Sequence, residues 1–205
     1  MALIGDTPES WPVANSTDIH RDDWVVALRS DEVAAPEDPN GTTFRRLVLE
    51  HPGAAMILAI NDDDEVFCLR QYRHPAQTRF VELPAGVCDH EGEDPLDVAV
   101  RELREEAELE ATDWPHLLSV FSSPGISAEK QHFYLARGLS RSDRGDFELE
   151  HEEADMASMW VPLHELREAI LDGRVTDGPV AIAVFAHDAL VARGAGNCRP
   201  AGRVT

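Results

Sequence analysis

Three glutamates on one predicted helix offer the clearest chemistry in this chain. From Pro95 onward, apolar side chains recur at helical spacing, which places Glu102, Glu105 and Glu106 together on the opposite side. Clustered carboxylate oxygens suit a hard divalent cation such as Mg²⁺, which bridges to phosphate oxygens. An acidic run is more often a solvated helix face. The residues around the cluster decide between these two interpretations.

Local signals support the helix itself. Asp94 is a suitable N-cap, Pro95 fits the first helical position, and Asp97 places negative charge near the positive helix end. Arg101 precedes Glu105 by four residues and can pair with it. The predicted buried side consists of Leu96, Ala99, Val100, Leu103 and Ala107.

The stretch from residue 86 to residue 109 resembles the Nudix box, the signature of the Nudix hydrolases. The matching positions are Gly86, Arg101, Glu102, Leu103, Glu105, Glu106 and Leu109. The family pattern also has a glutamate between the first glycine and the helix. At strict spacing Gly92 occupies that position. We therefore assign the role of this first glutamate to Glu93, in a loop that is one residue longer. Glu108 replaces the closing glycine and is expected either to take the left-handed conformation, at a cost of about 1 kcal/mol, or to extend the helix.

Strands before and after one helix, with further helices at the C-terminal end, indicate an α/β fold with a mixed sheet covered on both faces. The resemblance implies the same architecture, the Nudix-type α/β/α sandwich. A small β extension precedes it, and residues 1–22 are predicted to form a loose arm. The expected organisation is residues 1–50 as arm and β extension, 51–195 as the Nudix domain, and 196–205 as a tail.

The resemblance also implies a metal and a set of catalytic residues. Mg²⁺ is the expected cofactor, with Mn²⁺ as the alternative. Glu102 and Glu106 are the expected ligands, joined by Glu105 and the carbonyl of Ala85, while Arg101 holds the carboxylates in place. In similar enzymes a glutamate from a loop after the box assists the attacking water. In this sequence Glu153 is the first candidate for that role and Glu152 the second.

Three features outside the box resemble the ADP-ribose pyrophosphatases. Pro124 lies sixteen residues beyond the position of the closing glycine, and the stretches 70–74 and 151–155 are similar to that subgroup. Taken alone, Pro124 is equally well read as an ordinary turn proline. The implied reaction converts ADP-ribose to AMP and ribose 5-phosphate.

The same resemblance implies a set of substrate-binding residues and two alternatives to the ADP-ribose pyrophosphatase function. Arg73, Arg46, Glu82 and Pro124 are expected to bind the substrate, and Arg46 is expected to act from the partner in a homodimer. A broader nucleoside-diphosphate-sugar or dinucleotide pyrophosphatase is the close alternative. A catalytically silent ADP-ribose-binding domain is the second, motivated by the departures at Gly92 and Glu108.

Composition limits the partners. The 205 residues carry a formal charge of -21, which disfavours nucleic acid and anionic membranes, so an anionic substrate needs local arginines and a metal. The three cysteines lack paired spacing, which indicates a reducing cytoplasm. The first ten residues do not resemble a signal peptide, and no apolar run reaches transmembrane length.

Overall fold

The computed structural model describes residues 4–90, 92–145 and 155–194. The chain divides into two compact units. One consists of residues 1–52 and 121–129, and the other of residues 53–120 and 130–205.

The first unit contains an antiparallel sheet of three strands. In order across the sheet these are β1 (Val13–His20), β2 (Ala27–Val33) and β3 (Phe44–Glu50). The prediction that residues 1–22 form a loose arm is therefore wrong for β1. All eight residues of β1 are exposed, so the strand has no alternating hydrophobic pattern to reveal it. It is held by backbone pairing to β2.

Among its described residues, the second unit combines two main sheets, a short strand pair and three α-helices. The sheet that bears the box has the strand order β7-β4-β10-β9, and a second sheet has the order β12-β5-β6. The elements are β4 (Ala54–Ala59), β5 (Glu65–Arg73), β6 (Thr78–Glu82), β7 (Ala85–Val87), α1 (Pro95–Ala107), β8 (Leu109–Glu110), β9 (His116–Phe121), β10 (Lys130–Ala136), β11 (Ser140–Arg141), β12 (Ala157–Pro162), α2 (Leu163–Leu171) and α3 (Gly178–Ala192).

β4 forms the centre of the sandwich, because every residue in it is buried. It pairs parallel with β10 and antiparallel with β7, so the sheet is mixed. Alternate residues of a strand point to opposite faces. Ile57 packs in one core with Val98 and Leu103 of α1, and Leu58 packs in the other with Val184 of α3. The predicted α/β/α sandwich is confirmed.

Helix α1 has the ends that its sequence predicts. The Asp94 side chain accepts a hydrogen bond from the Leu96 amide at 3.0 Å. At the other end Glu108 adopts the left-handed conformation, with φ 53° and ψ 39°, and closes the helix. The predicted buried side is wrong at one position: Val100 is 44% exposed, whereas Val98 is fully buried. Within the described ranges, no helix combines the length and apolar character needed to cross a membrane.

Candidate active site

The acidic side of α1 is shielded from solvent. The side chains of Glu102 and Glu105 are only 12% and 13% exposed. Arg101 donates from one guanidinium nitrogen to both carboxylates, at 2.7 Å to Glu102 and 3.1 Å to Glu105. Burial alone would lower the pKa of Arg101, but these carboxylates raise it above its ordinary value. The glutamates therefore form an organised charged cluster rather than a solvated helix face.

Strand β7 positions the third glutamate. The backbone amide of Ala85 donates to Oε2 of Glu106 at 2.9 Å. Ala85 is fixed in turn by the pairing of β7 with β4, where it lies opposite Met56. The sequence predicted a role for the Ala85 carbonyl. The structure adds one for its N–H group, which orients the Glu106 carboxylate.

The glycine at position 86, the first of the box, has no side chain for a steric reason that the spacing of the motif does not reveal. A Cβ atom added to Gly86 would overlap the side-chain carbons and Oε1 of Glu102, well inside the 3.0 Å limit of real Cβ contacts. The Glu102 side chain thus lies directly across the backbone of β7. A side chain at position 86 would therefore displace the Glu102 side chain from this position.

The loop before α1 contains the departure from the box at the position of its first glutamate. Gly92 has φ +80°, a conformation that favours glycine. The carboxylate of Glu93 lies 3.6 Å from Nε of Arg101, on the same guanidinium that holds Glu102 and Glu105. This arrangement agrees with assigning the glutamate role to Glu93.

The same loop contains a group of ligand atoms that the sequence did not predict. Asp89, His90 and Glu93 each place one such atom within 4.8 Å of the others. Glu102, Glu105 and Glu106 lie on the helix that follows this loop. Their carboxylates are engaged by Arg101 and by the Ala85 amide. Asp89 and His90 are exposed.

Beside the box, Arg73 and Glu82 form a two-pronged ion pair. Nε of Arg73 lies 3.0 Å from Oε1 of Glu82, and Nη2 lies 2.7 Å from Oε2. Burial alone would lower the pKa of Arg73, but Glu82 and the nearby Glu106 and Asp177 raise it. The two residues were predicted as separate substrate contacts. The structure brings them together across the neighbouring antiparallel strands β5 and β6, where Arg73 lies opposite Thr78 and Glu82 lies opposite Leu69.

A cleft of about 190 Å³ opens at this ion pair and reaches Ala85. Its wall includes Asp177, which sequence analysis did not identify as a site residue. Asp177 is the N-cap of α3 and accepts a hydrogen bond from the Val180 amide at 2.9 Å. The signal in the sequence was the aspartate before Gly178-Pro179, which is typical of a helix start. That signal predicts a cap but not its position in a cleft.

The position of Asp177 predicts a pH-dependent stability difference. Burial raises its pKa to about 6, from 3.8, with Glu82 adding to the shift. The folded state therefore binds this proton more tightly than the unfolded state, and stability falls as pH rises from about 4 to about 6. Asp177→Asn keeps a good N-cap and removes the buried charge. We expect it to raise the free energy of unfolding at pH 8 by about 1–2 kcal/mol, allowing for partial exposure.

Urea unfolding of both proteins in EDTA checks this expectation. The gain should shrink toward zero below about pH 4, where the carboxyl is protonated in both states. Asp172→Asn is the matched control, because the Asp172 side chain is 61% exposed. An equal gain at pH 4 and pH 8 would contradict the assignment.

The structure describes two of the four remaining predicted residues. Arg46 is on β3 of the first unit, with its guanidinium carbon 4.4 Å from the centre of the Phe44 ring. Pro124 belongs to the same unit. Glu152 and Glu153 lie outside the described residues. The roles of these four residues stay predictions.

Comparisons with known proteins identify the family of this chain. The NUDIX domain family matches residues 50–181. A Mycobacterium tuberculosis protein named ADP-ribose pyrophosphatase is 40% identical over 166 residues, covering 81% of this chain and 78% of the relative. A Bacillus methanolicus protein named methanol dehydrogenase activator is 38% identical over 160 residues, covering 78% and 83%.

A solved structure shares the fold. The crystal structure of an ADP compounds hydrolase superposes with a TM-score of 0.71 at 22% identity, covering 93% of this chain and 99% of the other. At that identity the likeness supports the architecture alone. The family match covers the box, the residues that line the cleft, helices α1 and α2, and the first turn of α3. This chain therefore belongs to the Nudix hydrolase family.

Proposed function

We propose that the protein hydrolyses ADP-ribose to AMP and ribose 5-phosphate in a metal-dependent reaction. One observation carries the proposal: Ala85 both lines the cleft and donates its N–H to Glu106. A substrate group held in the cleft would thus lie beside the shielded glutamates of α1. The name of the M. tuberculosis relative supports ADP-ribose as the substrate.

The glutamates fit a hard divalent cation. They offer oxygen donors, they are shielded from bulk water, and Gly86 leaves space for the Glu102 side chain. We assign Glu102 and Glu106 as Mg²⁺ ligands, with Glu105 and the carbonyl of Ala85 as further donors, and Mn²⁺ as the alternative metal. When bound, the metal neutralises phosphate charge in the transition state.

The reaction itself needs a water, a base and a held diphosphate. The water oxygen bonds to one phosphorus, the bridging P–O bond breaks, and the second phosphate leaves. Glu153, or Glu152 in its place, is proposed to take the proton of the attacking water. Arg101 keeps the acidic cluster in order by its bonds to Glu102 and Glu105.

Substrate binding is assigned to arginines and to the cleft. Arg73 and Glu82 line the cleft and are proposed to contact the substrate. Arg46 and Pro124 are proposed as further contacts on the basis of the resemblance.

A homodimer in the cytoplasm is the proposed working form. The first unit supports this assembly, because β1 is exposed throughout and the apolar side chains of Ile19 and Leu47 face solvent. Free Cys68 and Cys88 support a reducing compartment.

The group attached to the nucleoside diphosphate is the open part of the proposal. Relatives of comparable identity carry different names, so similarity alone does not fix it. A broader sugar-nucleotide or dinucleotide pyrophosphatase is the second candidate, and a silent ADP-ribose-binding domain is the third.

Incubation of the purified protein with ADP-ribose and Mg²⁺ tests the proposal. AMP and ribose 5-phosphate should form in equal amounts, and EDTA should stop the reaction. Faster cleavage of a GDP-sugar or NADH would favour the broader activity. Tight ADP-ribose binding without hydrolysis in Mg²⁺ or Mn²⁺ would favour the silent binder.

A further inference from the structure

The cleft beside the box is lined by both apolar and polar residues. Met56, Leu83 and Pro179 provide apolar surface, and the polar side chains are those of Arg73, Glu82 and Asp177. A volume of about 190 Å³ admits a group the size of a sugar but not a whole nucleotide. The cleft therefore suits one substituent of a larger substrate.

The charge of the cleft limits what that substituent can be. Arg73 is the only cation among the described residues that line it, and Glu82 takes two of its nitrogens. The Ala85 amide is directed to Glu106. The groups left to face a ligand are therefore mainly hydrogen-bond acceptors. Such a site favours a neutral hydroxyl donor over a phosphate.

The negative charge of Asp177 is not needed for capping α3. Serine, threonine or asparagine would cap α3 equally well without placing a charge in a half-buried position. One carboxylate oxygen, Oδ2, accepts from the Val180 amide. Among the described residues the other oxygen, Oδ1, accepts no hydrogen bond, and the side chain lines the cleft. Oδ1 of Asp177 is therefore available to accept a hydrogen bond from a ligand in the cleft.

We propose that Asp177 selects the group attached to the substrate's diphosphate, accepting a hydrogen bond from a sugar hydroxyl and disfavouring a group that carries further phosphate. This inference rests on the proposed function and deepens it. Asp177 is a specificity-determining residue: it ranks substrates by the group beyond the diphosphate, and it takes no part in breaking the bond.

Steady-state kinetics with ADP-ribose test this role in wild type, Asp177→Asn, Asp177→Ser and the control Asp172→Asn. Both substitutions at 177 retain an N-cap, so a purely structural role predicts wild-type kinetics. We expect KM for ADP-ribose to rise about tenfold in Asp177→Ser and less in Asp177→Asn, which keeps one oxygen, with kcat within about twofold. The control should match wild type.

Two inhibitors separate selection from general damage. ADP lacks the attached group, so its Ki should stay constant, whereas the Ki of ATP should fall when the charge at 177 is removed. Unchanged KM in both variants, or equal rises in KM and in the Ki of ADP, would overturn the inference.

Calorimetric binding of ADP-ribose and ADP in Ca²⁺ keeps the two proposals distinguishable. Failure of the wild type to cleave ADP-ribose in the Mg²⁺ assay contradicts the proposed hydrolysis. Wild type that binds ADP-ribose no tighter than ADP, or whose preference survives both substitutions at Asp177, overturns the role of Asp177. A preference that is lost with the carboxylate supports that role even if turnover is absent.

Discussion

Glu106→Gln is expected to lower kcat by about 10³-fold while the protein stays folded. The substitution removes one negative oxygen donor from the proposed metal site, and a metal that stabilises transition-state charge contributes several kcal/mol. The glutamine carbonyl can still accept the Ala85 amide, which now binds Glu106 at 2.9 Å. The local structure of β7 and α1 should therefore persist.

Stability measurements separate this catalytic loss from unfolding. Removing one charge from a crowded helix face should leave the free energy of unfolding unchanged or slightly higher. Glu165→Gln on α2 is the control, because Glu165 is exposed and is far in sequence from the box. The assay compares kcat across a Mg²⁺ titration. Wild-type activity in Glu106→Gln would contradict the assignment of Glu106 as a metal ligand.

Gly86→Ala is the second change with a large expected effect. The new Cβ would overlap the Glu102 side chain, so that carboxylate must leave its position beside Arg101. We expect at least about 10²-fold lower kcat/KM and a higher Mg²⁺ requirement, since a displaced ligand loses its orientation. The cost to stability should be about 1 kcal/mol, the scale of a forced side-chain rotamer.

A double-mutant cycle with Glu102→Ala tests the cause. When Glu102 is shortened, the overlap is gone, and the stability cost of the alanine at position 86 should largely disappear. Urea unfolding of the wild type, both single variants and the double variant gives the coupling energy. Additive costs would show that the glycine serves the backbone of β7 rather than the Glu102 side chain.

Much of the box was predictable because its signals are local. The cap at Asp94, the proline after it and the glutamates on one face depend on residues within four positions of each other, which a single sequence displays. The fully apolar run of β4 likewise predicted a strand buried on both faces, and the structure confirms it. The left-handed Glu108 was one of two predicted outcomes.

Two wrong predictions show what local sequence signals do not determine. β1 was predicted as a loose arm because its polar residues carry no periodic pattern, and only hydrogen bonding to β2 makes it a strand. Val100 was placed in the core although Val98 holds that position. Helical spacing gives two plausible apolar faces here, and the sheet that α1 packs against selects one.

The sequence by itself determined the family, the helix that carries the acidic residues and the order of the elements around it. The tertiary structure decided why Gly86 has no side chain and that Arg73, Glu82 and Asp177 line one cleft. These contacts join residues from separate segments. Strand register and the packing of α3 bring them together, and neither is encoded in the spacing of neighbouring residues.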